Sequence, residues 1–584
     1  MRKSEITARF LRACCITLLC LIGACSRSEQ QQAPPAAAPA ASPESAADIV
    51  FRGGTVYTVD DAHSVAEAAA VKAGHIVAVG TAEEIGALIG SKTEVVELAS
   101  GMLLPGFHDS HVHPVSAGID ELGCLITEEM NTVNAVLDKV RSCASGGGTD
   151  WIVGSGWNLS LFPPDGNPRK ALLDAIAPDR PVFLTGVDGH SAWVNSAALA
   201  AAGITAKTPN PPHGVIEREA TGEPTGTLRE EAIALVSKLL PTVDDETAAK
   251  ALKKAVEDAN GFGITSLIEA AAGRREMSAY KALADRGELN VRVLISIAYA
   301  ATAPDGSPEF EQLLATREQY RSARVQPDAV KIFVDGVLEG ETAALLEPYL
   351  DRPGFLGPLN YEPDELTQMV TRIDKLGLQV HMHAIGDRAV RVGLDAIAAA
   401  RAANGPGTWT HHIAHLQLID PADLPRFAQL NVAANFQSLW AFPDPYITDL
   451  NLPVVGEQRV KRMYPIASAQ RAGAMIVGGS DWNVSSLNPL DAIQVAVTRK
   501  DPEGKIEAVL NENERVDLPT MIAAYTINGA RLMHQDKTTG SIEKGKAADL
   551  IVLDKNLLTL PPEQIRTAKV LRTLLDGQTV YRAQ

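Results

Sequence analysis

After its first 25 residues this 584-residue chain has only two cysteines, Cys124 and Cys143, and after the first dozen it has no Lys/Arg-rich run. With a formal charge of −18, it lacks the basic footprint that nucleic-acid binding requires, which excludes that class. A glycine-rich phosphate loop, a GxSxG nucleophile elbow and a CxxC pair are also missing, so phosphate-cradle, serine-nucleophile and dithiol chemistry have no sequence support. No internal repeat is present. The composition, 46% hydrophobic and 21% charged, is that of a globular protein. At ~150 residues per domain the length suggests three or four domains, but α/β barrels often exceed that domain size, so the count stays open.

The amino terminus has the features of an address. Arg2, Lys3 and Arg9 precede an apolar stretch from Ala13 to Ala24 broken only by Thr17. That is short of the ~20 apolar residues that cross a bilayer, and is expected to be a secretion signal. It ends in Leu21-Ile22-Gly23-Ala24-Cys25, which resembles the lipobox of bacterial lipoproteins, implying removal of residues 1–24 and acylation of Cys25. Residues 25–47 carry Pro34, Pro35, Pro39 and Pro43 and, after Cys25, no large apolar side chain, so they cannot build a core. Extended at ~3 Å per residue, such a tether reaches roughly 60 Å. Ser26 after the cysteine resembles outer-membrane sorting, so the expected location is the cell envelope, lipid-anchored at the outer membrane and facing the periplasm. In an oxidising compartment Cys124 and Cys143 either pair or remain two buried thiols.

From Asp48 the chain alternates short β-rich runs with glycine-containing turns, and the same texture returns in GSIEKGKAADLIVLD and KVLRTLLDGQTVYRAQ. Residues 48–106 and 536–584 are therefore expected to form one composite β domain. The middle, 107–535, alternates runs such as VKIFVDG, LQVHMHAIGD and AMIVGGSDW with Ala/Leu/Glu/Lys-rich segments, the pattern of a parallel α/β barrel. Strand and turn signals at about 120–260 predict an inserted subdomain. The β-rich ends leave a homodimer open.

Nine of the thirteen histidines fall at predicted strand ends. In FHDSHVH, His111 and His113 share one face of a strand, so two imidazoles can reach one metal. HxH alone is weak evidence, but here it closes an apolar run at the carboxyl end of a predicted barrel strand, where such enzymes keep their chemistry. Lys331 lies within VKIFVDG and points inward if Val330, Ile332 and Val334 pack outward. Burying its ammonium requires a partner or loss of charge. An ion pair, for instance with Asp335, and carbamylation by carbon dioxide are the two solutions. His381 and His383 again share a face, His411, His412 and His415 follow in HHIAHLQ, and Asp481 ends IVGGSD. Neutral imidazoles and carboxylates are ligands for zinc and similar ions.

The ordered set PGFHDSHVHP, GVDGHSAWVNSAAL, VKIFVDG, HAIGDRAV, HHIAHLQ, GGSDW, NPLDA and GSIEKGKAADLIVLD resembles the amidohydrolase superfamily, in its YtcJ-like amidohydrolase 3 branch, from Asp48 to the end. The resemblance implies a (β/α)₈ metal-dependent hydrolase barrel with a small β-sandwich built from both termini, and a cofactor of one or two divalent ions, zinc foremost. It implies that His111 and His113 bind the more buried ion, that Lys331 bridges two ions once carboxylated, that His383 and His415 bind the second, and that Asp481 is both a ligand and the catalytic aspartate. His381, His411 and His412 are not matching positions. Two departures stand out: Ile413-Ala414-His415 replaces Ile-Glu-His, and DGVLEGETAA replaces a serine-rich segment, which puts Glu339 and Glu341 near the pocket mouth.

The expected reaction is cleavage of a non-peptide C–N bond in a small N-acyl or N-formyl compound by hydroxide generated at the metal. Asp481 takes the proton of the water and returns it to the leaving nitrogen. His190 either donates to the developing oxyanion or caps a helix, and Trp157 either lines the pocket or anchors the insertion. An esterase or lactonase on the same site, and a periplasmic binding lipoprotein without catalysis, are the alternatives.

Overall fold

The computed structural model describes residues 46–127, 129–146, 151–299 and 308–584. The signal segment and Cys25 lie outside the described residues.

The two ends of the chain share one eight-stranded sheet. Met102–Pro105 joins them, because it pairs in parallel with Ile49–Tyr57 on one side and antiparallel with Leu550–Leu553 on the other. Phe51, Val71, Leu103, Leu550, Val552 and Leu574, drawn from both ends, close a common apolar core. Neither end can bury these side chains without the other.

Met102–Pro105 runs through Gly106 into the first barrel strand, β1 (Phe107–Val112). The others are β2 (Ile264–Ala272), β3 (Arg292–Ala298), β4 (Val325–Phe333), β5 (Gln379–Ala384), β6 (His411–His415), β7 (Val432–Phe436) and β8 (Met475–Gly478). Neighbours pair in parallel from β1 through β8 in chain order. The seam between β8 and β1 is closed just past the strand end, where Asp481 N–H donates to the His111 carbonyl at 2.7 Å and His113 N–H to the Trp482 carbonyl at 2.8 Å.

Helices follow the strands: α1 (Asp245–Gly261), α2 (Arg274–Asp285), α3 (Pro308–Thr316), α4 (Pro363–Lys375), α5 (Asp387–Asn404), α6 (Leu424–Gln429), α7 (Ile466–Arg471) and α8 (Pro489–Thr498). In α1 the Asp244 side chain caps the Thr247 N–H, Asp245 and Glu246 occupy the first turn, and Ala248, Leu252, Val256 and Ala259 recur at helical spacing on the buried face. These apolar residues join Leu267, Val293, Val330, Ile332, Val380 and Ile413 in the layer between strands and helices. Period-2 geometry turns the alternate residues into the lumen.

The lumen is built in layers. Ile268, Leu294, Ala329, Ala433 and Val477 form an apolar plug at the base with Leu532 and Met533. Above it Lys331 of β4, His381 of β5 and His412 of β6 stand in register, with Ser296 and Asn435 bonded to the two histidines.

The insertion leaves the barrel after β1 and forms a six-stranded sheet from Cys124–Leu125 to Pro224–Glu230. It is shorter than expected: α1, inside the span of about 120–260, packs as the first barrel helix. Cys124 and Cys143 form a disulfide that ties the edge strand to the helix Val133–Ser145. Crosslinking across 19 residues of chain removes unfolded-state entropy of about 3 kcal/mol. A Cys124→Ser/Cys143→Ser variant should therefore show an earlier thermal or denaturant transition of the insertion, read by Trp fluorescence. An unchanged midpoint would show that the bond contributes nothing.

Candidate metal centre

Every residue expected at the metal site except Trp157 converges on the carboxyl end of the barrel. The nearest grouping is His111, His113 and Asp481, whose ligand atoms all lie within 4.8 Å of one another. Asp481 Oδ1 is 3.4 Å from His111 Nε2 and 3.2 Å from His113 Nε2, and Oδ2 is 3.8 Å from His415 Nδ1. The imidazoles then continue as a chain of ring contacts: His113 to His111 at 5.4 Å between centroids, His111 to His415 at 4.8 Å, His415 to His383 at 4.4 Å and His383 to His190 at 5.0 Å.

Backbone geometry aims the two central ligands. Asp481 (φ 54°) and His415 (φ 77°) both adopt left-handed backbone, uncommon for residues other than glycine and costing about 1–3 kcal/mol each. The backbone N–H of each is taken by another segment: that of Asp481 by the His111 carbonyl at 2.7 Å, and that of His415 by Gln437 Oε1 at 2.9 Å. The turn swings each side chain out of strand alternation and over the barrel mouth.

Burial holds His111, His381, His383 and His415 well below the usual imidazole range, and nearby Lys331 adds to it. Neutral rings are the ligand form. Lys331, buried among them, is pushed down to about 7 by desolvation. Its Nζ lies 3.2 Å from His111 Nε2. It does not pair with Asp335, whose carboxylate instead accepts the N–H groups of Ala344, Ile385 and Gly386. The ion-pair solution is thus replaced by a lysine facing neutral imidazoles.

A divalent ion fits this donor set. His415 Nδ1 is buried without a hydrogen-bond partner among the described residues, and one carboxylate oxygen faces two imidazole nitrogens that a cation could share with it. Beneath it, His111 Nδ1 is 2.9 Å from His381 Nε2, and His381 Nδ1 is 2.9 Å from Ser296 Oγ. With protons on His111 Nδ1 and His381 Nδ1, His111 Nε2 keeps its lone pair for an ion. His383 Nε2 donates to the Gly336 carbonyl at 3.1 Å, which leaves Nδ1 unprotonated.

The structure corrects the sequence reading elsewhere. Trp157 is fully buried in the insertion, donating to the Leu184 carbonyl at 2.9 Å and packing against Phe162 and Trp193; it anchors the insertion and lines no pocket. His411 faces away from the lumen and bonds Asp374. His190 caps no helix: its Nδ1 is 2.8 Å from Glu230. Burial alone would lower His190, but the Glu230 carboxylate outweighs it and raises it to about 9. Sequence reasoning missed Glu230, Gln437, and Trp440, which stacks on His415 at 5.6 Å. It also missed Asp109, whose Oδ1 accepts the N–H groups of His111 and Ser480 across the seam. Only Asp109, within FHDSHVH, carried a local signal.

Residues 94–581 match the sequence profile described as the amidohydrolase family. YtcJ of Bacillus subtilis (strain 168) is 32% identical over 548 residues, 91% of this chain and 99% of that protein. The N-substituted formamide deformylase of Arthrobacter pascens is 28% identical over 551 residues, 91% of this chain and 98% of its own. The crystal structure of an uncharacterized metal-dependent hydrolase from Pyrococcus horikoshii OT3 superposes with a TM-score of 0.69 at 25% identity, covering 88% of this chain and 99% of that one. With a barrel of eight parallel strands and, at its carboxyl end, a His-His-Asp cluster that suits a divalent metal, this chain belongs to the amidohydrolase family, in the branch of YtcJ, and is a hydrolase.

Proposed function

We propose that this enzyme hydrolyses the amide-type bond of a small N-acyl or N-formyl compound. The observation that carries the reading is the Asp481 carboxylate, with one oxygen within 3.4 Å of the His111 and His113 ring nitrogens and the other 3.8 Å from His415. The relative acting on N-substituted formamides supports the substrate class. Neutral imidazoles around one carboxylate favour zinc among divalent ions.

His111, His113 and Asp481 would hold one ion, His383 and His415 a second, with Lys331, once carboxylated, between them. Carboxylation needs the free amine: Lys331 Nζ attacks carbon dioxide, forms the N–C bond and loses one proton, and burial favours that uncharged form. A bound divalent ion acidifies water and polarises the substrate carbonyl. Asp481 accepts the proton of the attacking water and returns it to the nitrogen as the C–N bond breaks. His190, at the far end of the imidazole chain, donates to the carbonyl oxygen as negative charge develops there. Cys25, in Leu21-Ile22-Gly23-Ala24-Cys25, would anchor the enzyme in the cell envelope by lipid.

Elemental mass spectrometry on a soluble form starting after Cys25 and purified without chelator should find about two transition-metal ions per chain, falling sharply in Lys331→Ala. No metal after reconstitution with zinc would overturn the reading. Asp481→Asn should lower kcat about 10²- to 10⁴-fold on N-alkyl formamides, compared in one panel with the matching formate esters. Unchanged turnover would remove Asp481 as the base, and a preference for the esters would move the enzyme to the esterase class. In the full-length chain, Cys25→Ser should abolish labelling by a palmitate analogue and release the protein from membranes; labelling that persists would refute the anchor.

A further inference from the structure

The insertion reaches the metal centre through His190 and Glu230. His190 lies in the turn between the strands Val182–Gly186 and Ser191–Val194. Its ring meets that of His383 at 5.0 Å and that of Phe333 at 6.3 Å. Glu230, at the end of Pro224–Glu230, donates its backbone N–H to the His190 carbonyl at 3.0 Å and has left-handed backbone, φ 51°, a cost that persists only where the surroundings enforce it. Its neighbour Arg229 is buried and fixes the strand end, bonding Ser191 Oγ at 2.7 Å and Asn167 Oδ1 at 2.8 Å.

The Glu230 carboxylate is divided between two elements. Oε2 accepts His190 Nδ1–H at 2.8 Å, and Oε1 accepts the Thr342 hydroxyl at 2.7 Å. Thr342 Oγ1 in turn accepts the Val337 N–H at 2.9 Å, in the loop after β4 whose Gly336 carbonyl accepts His383 Nε2–H. The carboxylate passes directly over Gly336: a Cβ there would lie 2.2 Å from Glu230 Oε1 and 2.3 Å from Thr342 Oγ1. One carboxylate thus orients an imidazole of the insertion and braces the loop that orients a barrel ligand.

We infer that Glu230 is the positioning residue for His190: by occupying Nδ1 it turns Nε2 to the reacting carbonyl, so that the insertion supplies part of the active site. The inference rests on the proposed hydrolysis for the role of His190, but the contact itself is testable without turnover. Glu230 touches no reacting atom. Gln at this position keeps an oxygen for His190 Nδ1–H and offers its amide to the Thr342 hydroxyl, so it preserves the orientation; Ala removes it.

The test uses the zinc-reconstituted soluble form with ¹⁵N-labelled histidine, the His190 signals being those lost in His190→Gln. Wild type and Glu230→Gln should show a protonated, hydrogen-bonded Nδ1, and Glu230→Ala and Gly336→Ala should lose it. On an N-alkyl formamide, Glu230→Ala should lower kcat about 10- to 100-fold, Glu230→Gln should restore most of it, and the Glu230→Ala/His190→Gln double variant should be no slower than His190→Gln alone. Retention of the Nδ1 signal in Glu230→Ala, or losses that multiply in the double variant, would overturn the inference. A normal nitrogen spectrum with no amide turned over would instead count against the proposed reaction and leave the positioning contact standing.

Discussion

Everything at the centre of this molecule depends on keeping a polar layer neutral inside a packed barrel. A lumen sealed below by Ile268, Leu294, Ala329, Ala433 and Val477 offers little solvent to charged groups, so burial pushes the imidazoles and the Lys331 amine down and favours their uncharged forms. The layer survives because its members satisfy one another: Ser296 with His381, His381 with His111, Asn435 with His412. The same neutrality that makes the layer tolerable makes its nitrogens ligands. His412 Nε2 and His415 Nδ1 stay buried without a hydrogen-bond partner among the described residues, each such group costing about 1–3 kcal/mol, which cation binding at the mouth would offset at His415.

Part of the backbone strain in this chain lies where chemistry is expected. Asp481, His415 and Glu230 all sit in left-handed backbone, each at a strand end and each held by a hydrogen bond from another segment. Strand geometry alone can place side chains only into the lumen or out to the helices. A residue that must lean over the barrel mouth has to leave that alternation, and hydrogen bonds to other segments hold it there, the His111 carbonyl for Asp481 and the Gln437 side chain for His415. The insertion uses the same device at Glu230 to bring His190 beside a barrel histidine.

Much of the barrel was legible because its signals are local. Alternation in VKIFVDG and HMHAIGD sorts Lys331, His381 and His383 to one face and Val330, Ile332 and Met382 to the other, and these faces do pack as lumen and outer layer. Less of the insertion was legible. Trp157 beside Gly-rich sequence is compatible with either a pocket wall or a core, and only the packing of Phe162 and Trp193 around it decides. Lys331 and Asp335 share a strand face four residues apart, yet three backbone N–H groups from the Ala344 and Ile385–Gly386 segments claim the carboxylate.

By itself the sequence determined which residue types stand at strand ends, which share a face, and that the chain has ligands for a metal but no nucleophile elbow or phosphate loop; these follow from fixed backbone periods and composition. The tertiary structure decided who meets whom: His190 with Glu230 across 40 residues, His111 with His381 across 270, and Asp109 with Ser480 across 371. Such pairs have no local signature, since nothing in the chemistry of a carboxylate or an imidazole specifies a partner until closure of the barrel brings the two within hydrogen-bonding reach.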